Sequence, residues 1–282
     1  MGQLIAKRYR TSMMAYLADH TYVECGAGKA WGCFGGSKNG EAISAGEGST
    51  ARANAIAEPN GEAGVGRYLI DGVCHQAANR ILLPANRLVT EARGYWLSVS
   101  IFGTYGRSAF NMRPDVMGDL EACVSSKTST TLRARDIPSG TLRLIRSNRA
   151  SMARFDFKTS SSELATFNVN RFMKDLSLQR QIQSPKSSLS GLKLAKNTTE
   201  LFLDFMGKEL RNDKIGPVEY VREFDRMTDK FQDDAANALS KDDFVRVFRV
   251  SPEERIRLSD PESVDMVFGR GVFSAAASKA PR

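Results

Sequence analysis

The sequence predicts an α+β protein in which a small antiparallel sheet carries one key helix and a mainly helical region follows. Three observations predict it. Short β-prone runs separated by dense glycines crowd the stretch before Gly106, helical composition with capped starts dominates after it, and a strongly basic segment lies between the two. The chain has 282 residues, enough for one large domain or two ordinary ones, and the shift in composition divides it into residues 1–126 and 127–282. No apolar run approaches the ~18 residues of a membrane span.

In order along the chain, residues 5–18 show an indistinct pattern that leads into Thr21, Tyr22 and Val23, so His20 opens a strand. Glycines around Trp31 and Phe34 predict a second strand and a hairpin, with GAGKA (26–30) as its turn rather than a phosphate-binding loop. Residues 37–64 read as a surface loop containing a short helix at 49–57. Tyr68–Ile70 predicts a brief strand that turns at Asp71-Gly72 into a helix from Cys74 to Leu83, stopped by Pro84. Residues 87–102 are β-prone. Helices are then expected at 114–124, 162–183, 198–211, 217–232 and 251–258. Ser240 before two aspartates marks a capped start, and GVFSAAASKAPR is a loose tail.

The net charge of +8 is not spread evenly: residues 127–196 hold 14 Lys+Arg against 4 Asp+Glu. Arg133, Arg135, Arg143, Arg146, Arg149 and Arg154 would suit an anionic partner, nucleic acid or membrane surface. Aromatic interleaving is thin, however, and a solvated or domain-bridging face, paired with the acidic last segment, accounts for the same charge. Four cysteines without a close pair make neither a disulfide scaffold nor a zinc site, and no cofactor or metal is expected. The first 20 residues show no secretory signal, and Ala6 breaks the myristoylation pattern. The expected location is the cytoplasm, or delivery from the cell by a non-Sec route.

The chemistry concentrates in YLIDGVCHQAANRILLPA. A strand ending in a Gly turn delivers Cys74 onto the first turn of a helix, where free N–H groups and the helix dipole favour a thiolate and can hold an oxyanion. His75 points about 100° away from its neighbour on the helix and is a poor base. His20, arriving from a strand, is the better one. Gln76 and Asn79 are weaker candidates for oxyanion or orienting roles, and Trp31 and Tyr22 for the wall of a substrate cleft.

His20 in DHTYVECG preceding Cys74 in DGVCHQAANRIL resembles a circularly permuted papain-like fold, as in NlpC-type peptidases and lecithin:retinol acyltransferase-like proteins. The same motif is similar to one in uncharacterised bacterial proteins. The resemblance covers residues 15–106. It implies a thioester-forming Cys74, a His20 base and a third polar residue on the neighbouring strand that orients the imidazole. This sequence departs there: residues 31–34 offer no carboxylate or amide, which leaves a backbone carbonyl or Asn79 as the substitute. The resemblance implies a cysteine peptidase or amidase acting on a peptide, protein or acyl substrate. Lipid or acyl transfer on the same dyad, or an inactive papain-like interaction protein binding through residues 127–196, are the alternatives.

Overall fold

The structure is a computed structural model that describes residues 2–10, 17–26, 30–32, 39–57, 67–107 and 182–278. Strands β1 (Gly2–Tyr9), β2 (His20–Cys25), β3 (Ala30–Gly32) and β4 (Glu41–Gly48) form one antiparallel sheet in the order β3-β2-β1-β4. Leu4 pairs with Cys25 and Tyr9 with His20 across β1 and β2, and Tyr22 stands opposite Gly32 on β3.

Two strands correct the expectation from sequence. β1 leaves little trace in the sequence because its buried face is made by Leu4 and the small Ala6, too little for a visible alternation. β4 lies in the expected loop. Its Gly, Ala and Ser composition is allowed because the free edge of β1 supplies backbone pairing. A side chain at Gly48 would also strike the Pro84 carbonyl, so the close approach requires glycine.

Helix α1 (Thr50–Ala57) follows as expected, and α2 (Cys74–Ile81) runs into a single 3₁₀ turn at Leu83–Ala85. Tyr68–Ile70 is not a strand but part of a tight turn, with Leu69 at φ 61° and the Leu69 N–H bonded to the Gly72 carbonyl. The β-prone YWLSVSIF is also not a strand: it forms α3 (Tyr95–Phe102), buried on nearly every side. A helix apolar all round carries no amphipathic period, so its aromatic and β-branched residues imitate a strand.

The C-terminal region contributes α4 (Leu189–Arg211), α5 (Pro217–Ala238), α6 (Lys241–Phe248), α7 (Pro261–Phe268) and α8 (Val272–Ser278). Ser240 caps α6 as expected, accepting from the Asp243 N–H, whereas α4 begins nine residues before the expected Thr198, capped by Ser188. Residues 251–258 are not helical. They make a turn in which the Glu254 N–H donates to the Ser251 carbonyl, then a single bridge in which the Arg257 carbonyl accepts from the Ala18 N–H, while the expected loose tail holds α8. The expected helix at 114–124, most of that at 162–183, and the six arginines at 133–154 lie outside the described residues.

α2 is the middle layer. Its Ala78 and Ile81 pack with Leu4, Ala6 and Val23 of the sheet, while Cys74 and Ala77 join Leu97, Ile101, Phe102, Tyr220, Phe224 and Phe231 on the helical side. All eight of its residues are buried. Each fully buried Phe contributes ~2 to 3 kcal/mol of transfer free energy, so this seam ties residues 67–102 to the C-terminal helices.

Candidate functional site

The extended Val73 precedes α2, and its N–H donates to the Gln76 side-chain carbonyl at 3.1 Å, which fixes where the helix starts. Cys74 is therefore the first helical residue. Its Sγ lies 3.7 Å from the Asp19 carbonyl, one residue before His20 on β2. Burial pushes the thiol up to about 12. The Thr21 backbone and hydroxyl and the His75 backbone, close to the sulfur, oppose the shift, while the negative charge of Asp260 adds to it. The thiol is thus protonated at rest and donates to Asp19.

Asp19 organises the surroundings. Its carbonyl also accepts from His75 Nε2 at 3.0 Å, its carboxylate accepts from the Arg93 N–H at 2.9 Å and from Arg8 at 3.4 Å, and its own N–H donates to the Arg93 carbonyl. A carbonyl only accepts, so Nε2 of His75 carries the proton. Nδ1 lies 3.0 Å from the Ser98 hydroxyl, whose single proton is shared between Nδ1 and the Tyr95 carbonyl at 2.7 Å. Burial lowers His75 to about 4, so the imidazole is neutral.

The other sequence candidates are placed as follows. Gln76 donates to Ser98 Oγ and to the Gly103 carbonyl in addition to capping Val73. Asn79 donates to the Thr104 carbonyl at 2.7 Å and to the Tyr95 hydroxyl, and accepts from the Val89 N–H. Both amides hold α2 to the loops around it, and those bonds turn them away from any oxyanion role. Tyr22 is completely buried, its hydroxyl accepting from the Gly40 N–H, so it lines no open cleft. Trp31 is half-buried and donates to Asn54 on α1. Cys25 packs in the sheet core, while Cys33 and Cys123 lie outside the described residues.

His20 has a different setting. Its ring lies 4.8 Å from the ring of Tyr9, and its Nδ1 is 3.8 Å from Oδ2 of Asp260, the residue that opens α7. Asp260 is the neighbour that sequence reasoning missed. Its only local signal, Asp-Pro before a helical run, is that of an ordinary helix cap, and nothing in it foretells proximity to a strand 240 residues earlier.

Residues 17–19, 73–75 and 257–260 enclose a cavity of about 10 Å³ over Cys74, room for about one water. A larger groove of about 470 Å³ lies beyond it, against Thr90–Gly94, Trp96, Phe248 and Arg249. Gly94, at φ 83°, lines the groove and packs so tightly on Ala18 and Ile256 that a side chain there would crowd both. Among the described residues no His, Cys, Asp and Glu group could hold a metal ion, and no helix is long and apolar enough to cross a membrane.

Comparisons with family models, with curated proteins and with solved structures find no match for this chain.

Proposed function

We propose that the chain is a papain-like cysteine hydrolase acting on an amide carbonyl, with Cys74 as nucleophile and His20 as general base and acid. The observation that carries this reading is where the nucleophile sits: the Cys74 sulfur, at the N-terminus of a buried helix, lies 3.7 Å from the carbonyl of Asp19, the residue before His20. His20 takes the thiol proton as sulfur attacks the carbonyl carbon, and the first-turn N–H groups of α2 face the oxyanion. Collapse breaks the C–N bond, His20 returns the proton to the leaving amine, and a thioester on Cys74 remains. Water then loses a proton to His20 and hydrolyses the thioester, restoring the thiol; an alcohol or amine acceptor in place of water gives acyl transfer. Moving the proton to His20 keeps both charges paired within the pocket, which burial penalises less than ionisation to solvent.

A second reading, a non-enzymatic interaction protein on the same scaffold, is favoured by the closed cavity and by the thiol's rise to about 12. Alkylation of the intact protein by iodoacetamide between pH 5 and 9, mapped by peptide mass spectrometry, separates the two. The enzyme reading expects Cys74 to react selectively below pH 7 and to lose that reactivity in His20→Ala. A Cys74 no faster than Cys25, itself raised to about 12 by burial, supports the interaction protein.

A further inference from the structure

We infer that Asp260 is the positioning residue for His20, so that the C-terminal helical region completes the site instead of merely covering it. The inference rests on the reading of Cys74 and His20 as nucleophile and base.

Asp260 caps α7 with one oxygen, Oδ2, which accepts from the Ser263 N–H at 2.8 Å and lies 3.8 Å from His20 Nδ1. Its other oxygen, Oδ1, is buried with no hydrogen-bond partner among the described residues. Capping explains the first oxygen only. Asn or Ser caps a helix as well as Asp does, so a cap by itself gives no reason to bury a charge and leave half of it unbonded. A cationic imidazolium beside it gives one.

The backbone that carries Asp260 is also held from several directions. The Asp260 N–H donates to the Tyr68 hydroxyl at 3.0 Å, Tyr68 reaches the Leu258 carbonyl, and Ser259 donates to Asp225 at 2.7 Å. The titratable and charged groups around His20 are Tyr9 from β1, Asp19 beside it, Cys74 and His75 from α2, and Arg257, Asp260 and Glu262 from the segment entering α7. Of the carboxylates, Asp19 is turned to Arg8 and the Arg93 N–H, and Glu262 to the Tyr9 hydroxyl. Asp260 is left facing the imidazole. A carboxylate at Nδ1 retains the proton there, leaves Nε2 to receive the thiol proton, and stabilises the imidazolium that results.

The test is the pH profile of Cys74 alkylation by iodoacetamide in the full chain, for wild type, Asp260→Asn and Asp260→Ser. Both variants keep a helix cap and remove the charge. The expected result is a fall in the Cys74 rate at pH 6 of about tenfold or more, with a narrower reactive pH window and a thermal midpoint close to wild type. A purely structural role would lower the midpoint and leave the shape of the profile unchanged; that result overturns the inference, as do superimposable profiles. Should Asp260→Asn fail to fold, Asp260→Ser carries the same comparison. A fast wild-type Cys74 with unaltered variants sinks only the role of Asp260, whereas a wild-type Cys74 as slow as Cys25 sinks the dyad and this inference together.

Discussion

The two histidines lie on either side of Asp19, and their surroundings are built on opposite principles. His75, on α2, has a polar neighbour at each ring nitrogen: the Asp19 carbonyl at Nε2 and the Ser98 hydroxyl at Nδ1, with Gln76 donating to the same Ser98 oxygen. His20, on β2, faces an aromatic ring and a carboxylate at ion-pair distance, in a neighbourhood where Asp19 Oδ1 and Asp260 Oδ1 are buried with no hydrogen-bond partner among the described residues. The first arrangement leaves nothing for a proton to do and locks a helix start. The second retains polar capacity in a buried place, a cost that packing alone does not explain and that proton transfer would.

The contrast breaks most sharply under mutation of either ring. His20→Ala is expected to slow Cys74 alkylation at pH 6 by about a hundredfold, the size of a lost general base, while costing only ~1 to 2 kcal/mol of stability in urea titration. His75→Ala should do the reverse. Leaving the Ser98 hydroxyl and the Asp19 carbonyl short of a partner, and an emptied ring site in the core, is expected to cost ~3 to 4 kcal/mol, with Cys74 reactivity changed less than about threefold while the fold persists. Equal effects of the two substitutions on alkylation would remove the distinction.

Acid sharpens the same comparison. His75 has a folded pKa of about 4 against an ordinary 6.5, so as pH falls the unfolded chain takes up the proton first. Its contribution of ~3 kcal/mol is fully present above about pH 6.5 and is lost as pH falls toward 4. Asp225 works against it. Burial raises its carboxyl from 3.8 to about 7, so its contribution is present below 3.8 and lost as pH rises through 7. Stability between pH 4 and 7 is therefore flat in wild type with respect to this pair. Asp225→Asn should expose a rise with pH across that window, and His75→Gln a fall; parallel unfolding curves for all three proteins would contradict the assignment.

Smaller effects test the residues that hold the scaffold. Asn79→Leu removes the bonds to the Thr104 carbonyl and the Val89 N–H, with an expected loss of ~2 to 3 kcal/mol and no change in the pH profile of Cys74. A changed profile would return Asn79 to the site. Trp31→Phe forgoes the bond to Asn54 and should cost ~1 kcal/mol by thermal denaturation, again without altering alkylation.

Much of this was legible in the residues themselves. A Gly turn followed by Cys-His-Gln-Ala-Ala-Asn-Arg specifies a helix start, because turn chemistry and helix-forming residues act locally. The same holds for His20 opening a strand, for the short helix at residues 50–57, and for Ser240 capping α6. The helix expected at 217–232 is α5, which runs on to Ala238 and buries Tyr220, Val221, Phe224, Met227 and Phe231, spaced as one face.

What the chain could not show locally was decided by neighbours. β4 is a strand because the edge of β1 needs pairing, and α3 is a helix because burial on all sides rewards its apolar residues in that form, against their β preference. Asp260 is the plainest case. As sequence it is a helix cap, a role set within three residues; as a neighbour of His20 it depends on the packing that brings the start of α7 to β2 across some 240 residues. Hydrogen bonding within a turn is encoded where it occurs, whereas the approach of two buried ionisable groups from distant segments is fixed only when the intervening core has packed.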